Sequence, residues 1–222
     1  MIRAQVTHFR DRAEAGQLLA SRLTRYANRS DVLVLGLPRG GVPVAFEIAG
    51  ALRAPLDVFV VRKLGVPGHE ELAMGAVATG GIRILEMGVI QAQRISGAVV
   101  QAAMTKALEE IARREQLYRR SRPPAEIQGK IVILVDDGLA TGSSMRAAVA
   151  WLRMQRAARI VIAVPIGAQE VCDEFSNEVD ELVCAETPGD FYAISEAYES
   201  FAQVTDAEVR LFLDRARETN AA

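Results

Sequence analysis

Along the chain, segments with one apolar face at helical spacing alternate with short unbroken apolar runs. Leu18, Leu19, Leu23 and Tyr26 share one face of a helix that ends near Asn28. It opens at Asp11, where Glu14 completes a capping box. Val32-Leu33-Val34-Leu35 then reads as a strand buried on both faces, and Val44, Ile48 and Leu52 mark the buried side of the next helix. A second strand is predicted over residues 57–63, followed by a loop over 64–71, the one obvious lid candidate, and by short strands at 74–79 and 82–85 around Gly80-Gly81. From 89 to 120, Ile95, Val99, Ala103, Ala107, Leu108 and Ile111 keep helical spacing opposite Glu109, Glu110, Arg113, Arg114 and Glu115, which predicts one long amphipathic helix ended by Pro123-Pro124. Residues 130–135 carry the strongest strand signal, and a helix with Met145, Val149 and Leu152 follows. Two more strands, at 160–165 and 181–184, flank a short helix, and a last helix opens at Thr205 with Glu208 as its capping partner. This alternation is the pattern of an α/β fold with a largely parallel sheet.

Half of the 222 residues are apolar, enough to bury the core of one domain. A net charge of −2 gives no global attraction to nucleic acid or to an anionic membrane, so any phosphate ligand must be met by a local site. No apolar run approaches the roughly eighteen residues of a membrane span and the first residues lack a signal-peptide pattern, so a soluble, cytoplasmic protein is expected. Cys172 and Cys184 have no metal-ligand spacing and read as reduced thiols, and with only His8 and His69 a histidine zinc site is not expected.

The chemistry concentrates after the strongest strand. In open parallel sheets, ligands collect at the carboxyl ends of strands. There Asp136 and Asp137 stand side by side, able to accept hydrogen bonds from the vicinal hydroxyls of a ribose. Ala140, Thr141, Gly142, Ser143 and Ser144 follow at a helix start, where backbone N–H groups and the helix dipole suit a phosphate monoester. Diol acceptors just before a phosphate cradle describe a ribose 5-phosphate. The competing structural reading is a turn with a capping aspartate and an ordinary Ser/Thr N-cap.

The run from Ile133 to Ser144, an apolar strand followed by two acids and a Thr-Gly phosphate loop, resembles the signature of the type I phosphoribosyltransferases, with Gly138 where a larger apolar residue is usual. The resemblance implies that fold, a central mostly parallel sheet flanked by helices, as one domain over 1–222. Its core would span about 30–165, its small hood the N-terminal helix and about 166–222, and a helical insertion about 88–122. It also implies 5-phosphoribosyl 1-pyrophosphate as ligand, with Asp136 and Asp137 on the ribose and 140–144 on the 5-phosphate. Over nearly its whole length the chain most resembles an uncharacterised bacterial group of predicted phosphoribosyltransferases.

Other segments fit around that loop. Arg39-Gly40-Gly41 resembles the family's pyrophosphate loop, and the glycines would let backbone N–H groups approach an anion closely. Arg62 and Lys63 would supply charge to the leaving pyrophosphate. With the Pro-Gly loop behind them they are similar to the Arg-Lys lid of adenine phosphoribosyltransferases, which carries an acid; Glu70 or Glu71 is the candidate here, ahead of His69. In 6-oxopurine enzymes an acid stands just before the Thr-Gly pair, and here that place holds Ala140. Pro188-x-x-Phe191 is similar to the hood of those enzymes, so Phe191 or Tyr192 is the candidate platform for a planar base, the alternative being a hydrophobic anchor for the C-terminal helices.

The expected reaction is transfer of the phosphoribosyl group to a nitrogenous base or amine with release of pyrophosphate. It is assisted by Mg2+ carried chiefly by the ligand, with Asp136 and Asp137 the protein groups available to the metal. A non-catalytic regulator that senses the same ligand is the main alternative; the one basic cluster, Arg113, Arg114, Arg119, Arg120 and Arg122, is interrupted by acids. A doubly wound phosphoacceptor domain would need its acids after the first strand. The apolar face of Ile95 to Ile111 could serve as the seam of a homodimer, or pack within its own domain.

Overall fold

The computed structural model describes residues 9–120, 122–189 and 193–221, with the side chains of residues 70, 71, 220 and 221 outside that description. Five parallel strands make the main sheet: β1 (Val32–Gly36), β2 (Leu56–Val58), β6 (Ile131–Val135), β7 (Arg159–Ile166) and β8 (Glu181–Glu186), in spatial order β2-β1-β6-β7-β8. An antiparallel sheet of β3 (Val61–Val66), β4 (His69–Ala78) and β5 (Ile82–Leu85) stands beside it. Around them lie α1 (Arg12–Arg22), α2 (Gly41–Leu52), α3 (Met87–Ala92), α4 (Gly97–Arg119), α5 (Ser143–Met154), α6 (Gln169–Glu178) and α7 (Asp206–Ala221).

The continuous apolar runs are continuous because both sheet faces are covered. Val32, Val34, Ile131, Ile133, Val135, Val161 and Ala163 join one core with residues of α1, α2, α4 and α7. Leu33, Leu35, Val132, Leu134, Ile160, Ile162 and Val164 point to the other side and meet α5 and α6. Strand alternation thus divides each run between two cores. The helices start where the sequence provides caps: Asp11 accepts from Glu14 N at 2.9 Å, and Thr205 and Glu208 exchange a full capping box.

The structure corrects three expectations. Residues 57–63 are not one strand: β2 ends at Val58 in the main sheet, and the chain crosses at Phe59-Val60 to start β3 in the second. The 64–71 segment is not a loop but a β-hairpin, β3 and β4 with their turn at Pro67-Gly68. The long helix is two, because Arg94 adopts a left-handed conformation (φ 51°) between α3 and α4 and Ser96 caps α4 afresh by accepting from Val99 N. Much of the apolar stripe of α4 packs within the chain, with Val100, Met104, Ala107, Ile111 and Tyr118 buried in the core shared with β3, β4 and α7, while Val99 of the expected stripe is exposed.

Candidate active site

Two loops meet at the carboxyl end of the main sheet, one after β1 and one after β6. Their contact explains both glycines of the first. A Cβ on Gly40 would lie 1.8 Å from Asp137 Oδ2, and one on Gly41 would lie 2.6 Å from the Val135 carbonyl oxygen and 3.1 Å from Asp136 Oδ1. Arg39-Gly40-Gly41 and the acidic pair, read from segments a hundred residues apart, are therefore packed on each other. The Pro38–Arg39 peptide is cis, and Arg39 Nη1 stands 4.0 Å from Asp206 Oδ1 at the start of α7. Tyr118 on α4 donates to the same carboxylate oxygen.

A cleft opens beside this contact, lined by Lys63, Asp136, residues 138–145 and Ile194. At its floor Gly142 takes the left-handed conformation (φ 71°) that starts α5, and a Cβ there would strike the Phe175 ring at 2.6 Å. The first N–H groups of α5 follow at Ser143 and Ser144. Thr141 Oγ1 and Ser143 Oγ are hydrogen-bonded, and Lys63 Nζ reaches across from the second sheet to donate to Thr141 Oγ1 at 3.4 Å. Arg146 holds the loop from behind, donating to the Thr141 carbonyl at 2.8 Å and pairing with Glu174. A helix N-terminus, two hydroxyls and an exposed ammonium stand around one concavity, a set of groups with the chemistry to hold an anion.

The two acids differ in surroundings. Asp136 is half-buried at the cleft wall, accepts from the Asp137 N–H at 2.9 Å, and has no ion-pair partner among the described residues. Burial first, and the neighbouring Asp137 charge second, push its pKa well above the usual carboxylate range. Asp137 is buried and bound by Arg12 of α1, whose Nε and Nη2 both reach Oδ2, at 2.8 and 2.7 Å. Tyr198 donates to the Asp137 carbonyl at 2.7 Å; burial, then the Asp137 charge, push the pKa of that phenol up and keep it protonated.

Of the predicted residues, the structure brings together Asp136, Asp137, Ala140, Thr141, Gly142, Ser143, Ser144, Gly40, Gly41 and Lys63. Arg39 lies at the rim, on Asp206. Arg62 adjoins Lys63 on β3, and strand alternation sends it to the opposite face, away from the cleft. Glu70 and Glu71 fall in β4 with side chains outside the described residues, and Phe191 and Tyr192 lie outside them altogether. Sequence reasoning missed Arg12, Tyr198, Arg146 and Ile194. Ile194 explains the unusual Gly138: a Cβ on Gly138 would sit 2.6 Å from Ile194 Cγ2, so the tail supplies the apolar group that the loop omits.

Cys172 and Cys184 are free thiols. No helix among the described residues is long and apolar enough to cross a membrane. The five arginines of the basic cluster all pair with carboxylates: Arg113 and Arg114 with Glu110, Arg119 with Asp57, and Arg120 and Arg122 with Asp214.

Comparison with known proteins places the chain in a family. The family model of the phosphoribosyl transferase domain matches residues 4–194. A Mycobacterium tuberculosis protein named "Putative phosphoribosyl transferase Rv0571c" is 47% identical over 208 residues, covering 94% of this chain and 47% of that protein, so the chain spans about half the length of this curated relative. The crystal structure of TT1426 from Thermus thermophilus is 40% identical and superposes with a TM-score of 0.77, covering 93% of this chain and 97% of that one. The chain belongs to the phosphoribosyl transferase domain family and has the α/β fold of its type I members.

Proposed function

We propose that the cleft binds 5-phosphoribosyl 1-pyrophosphate and transfers its phosphoribosyl group to a nitrogenous base or amine, releasing pyrophosphate. The observation that carries this reading is the packing of the Gly40-Gly41 loop against Asp136-Asp137, with the α5 cradle and Lys63 on the cleft beside them. The 5-phosphate is held by the N–H groups and hydroxyls of 141–144, and the ribose hydroxyls donate to the acidic pair. Backbone at Gly40-Gly41 receives the pyrophosphate. Lys63, and Arg39 once released from Asp206, oppose its negative charge as the bond to the anomeric carbon lengthens. Oxocarbenium-like charge then develops at that carbon, and the nearby carboxylates favour it. Most of the rate enhancement in this scheme comes from positioning and fixed charge rather than from proton transfer.

The site fits Mg2+ of the kind the family implies. Asp136 is a half-buried oxygen donor without an ion-pair partner among the described residues, destabilised by a second carboxylate, and hard oxygen donors suit this cation. Bound Mg2+ would neutralise charge on the leaving pyrophosphate. Phe191 or Tyr192 as base platform, and Glu71 as lid acid, complete the proposal from sequence.

Two measurements test it. Calorimetry with ribosyl pyrophosphate and magnesium should show binding that the Asp136→Asn/Asp137→Asn double variant abolishes while its fold survives; unchanged affinity sinks the assignment. A panel of purines, pyrimidines and small amines should then yield pyrophosphate with at least one acceptor. Binding with no release on any acceptor would replace the enzyme by a ligand sensor.

A further inference from the structure

Arg12 is 9% exposed although it opens a surface helix. Its guanidinium places two nitrogens on Asp137 Oδ2, donates from Nη1 to the Ala202 carbonyl at 2.9 Å, and lies 3.9 Å from the centroid of the Phe201 ring. All three nitrogens are engaged, so the side chain is fixed rather than free to swing toward a ligand. Asp137 is fixed in turn. Arg12 occupies Oδ2, Tyr198 holds the main chain at the carbonyl, and Gly40 packs so closely on Oδ2 that a single added carbon could not be accommodated. Asp136 has no ion-pair partner among the described residues; its Oδ1 accepts from the Asp137 N–H, and its side chain lines the cleft with Lys63 and Thr141.

We propose that Arg12 is a positioning residue of the ribose site: it neutralises and locks Asp137, so that Asp136 is the carboxylate that meets the ligand diol. The inference rests on the phosphoribosyl pyrophosphate reading and divides labour between two acids that the motif presents as equals. Two adjacent carboxylates repel each other, and a buried guanidinium on one of them eases that conflict without blocking the other. The N-terminal helix is thereby part of the binding site although no atom of Arg12 touches the ligand.

Full-length wild type, Asp136→Asn, Asp137→Asn, Arg12→Gln, Arg12→Lys and Arg12→Gln/Asp137→Asn are compared by calorimetry with ribosyl pyrophosphate and magnesium, and by thermal melting. Loss of a direct charge-assisted contact should make Asp136→Asn about a hundredfold weaker in binding. Arg12→Gln and Asp137→Asn should each weaken it only about tenfold while lowering the melting temperature, since each leaves a buried charge unpaired. The Arg12→Gln/Asp137→Asn variant should bind about as well as either single variant, because both act through one interaction. Arg12→Lys should recover most of the affinity, which a role in packing alone would not restore. Equal losses for Asp136→Asn and Asp137→Asn, or additive losses for Arg12 and Asp137, overturn the inference with the function intact. Wild type that does not bind overturns both. If Arg12→Gln does not fold, the two Asn variants and Arg12→Lys still decide.

Discussion

At the scale of single residues, the fold works against the charge on Asp136. Its pKa is raised, so the folded protein holds that proton more tightly than the unfolded chain does. The resulting stabilisation is complete below the ordinary carboxylate range and is lost as pH rises through the raised folded value. Ligand-free protein at neutral or higher pH therefore carries a cost that an amide would not, and Asn can still accept from the Asp137 N–H. In EDTA at about pH 8, Asp136→Asn should melt a few degrees above wild type, on the order of 1 kcal/mol, and the gap should close toward about pH 4. A melting series reads this directly, and a lower melting point for Asn at pH 8 refutes it. Gly138 permits a second test. Gly138→Ala drives a methyl into Ile194 and should cost about 1–3 kcal/mol in urea unfolding, as overpacking does. Adding Ile194→Ala should recover most of that loss; two independent, additive losses would mean that the two side chains do not share the space.

At the scale of elements, what could be read from the sequence depended on whether its cause was local. β1 and β6 were legible because Val32 to Leu35 and Ile131 to Val135 are apolar on both faces, and the loop proposed to hold phosphate stood out because acids, glycine and hydroxyls stand within nine residues. The 57–63 strand was misread because Val58, Phe59, Val60 and Val61 form one apolar run, while two sheets compete for it and divide it between them. The break between α3 and α4 has no proline or glycine at Arg94, and Ile95 and Val99 keep the period going; only Ser96, a good cap, hinted at a restart. Arg12 was invisible because its partner lies 125 residues away. The end of α4 carries a comparable long-range tie. Arg119 is buried, places Nε 2.9 Å from Asp57 Oδ1, and donates to the Val58 carbonyl. Asp57 also accepts from the Ala125 N–H, which ties α4 and the chain after it to edge strand β2. Arg119→Met would leave Asp57 buried and unpaired, and should cost about 3–5 kcal/mol in urea unfolding. Because the pair stands apart from the cleft, ribosyl pyrophosphate affinity should not change; weakened binding in folded Arg119→Met would show that β2 and the site are coupled.

At the scale of the whole molecule, an N-terminal segment and the stretch just ahead of α7 converge on one aspartate in the middle of the chain. Phe9 forms a parallel bridge with Tyr198 and exchanges backbone hydrogen bonds with Ala197 and Glu199, while Tyr198 and Arg12 both hold Asp137 and Ala202 holds Arg12. Phe9, Ala15, Ile166, Ala197 and Tyr198 bury a small core of their own that seals this junction beside β7. The loop after β6 is therefore backed by two segments remote in sequence. Ligand binding at the loop should stiffen what holds it, because opening of the junction and release of the ligand become linked equilibria. Hydrogen exchange followed by mass spectrometry, with and without ribosyl pyrophosphate and magnesium, should show protection in peptides from residues 12–22 and 197–202 as well as 136–146. Peptides from α3, which packs on β4 and lines no part of the cleft, should exchange at unchanged rates. Protection confined to 136–146 would mean that the two flanking segments pack against the site without sharing its stability.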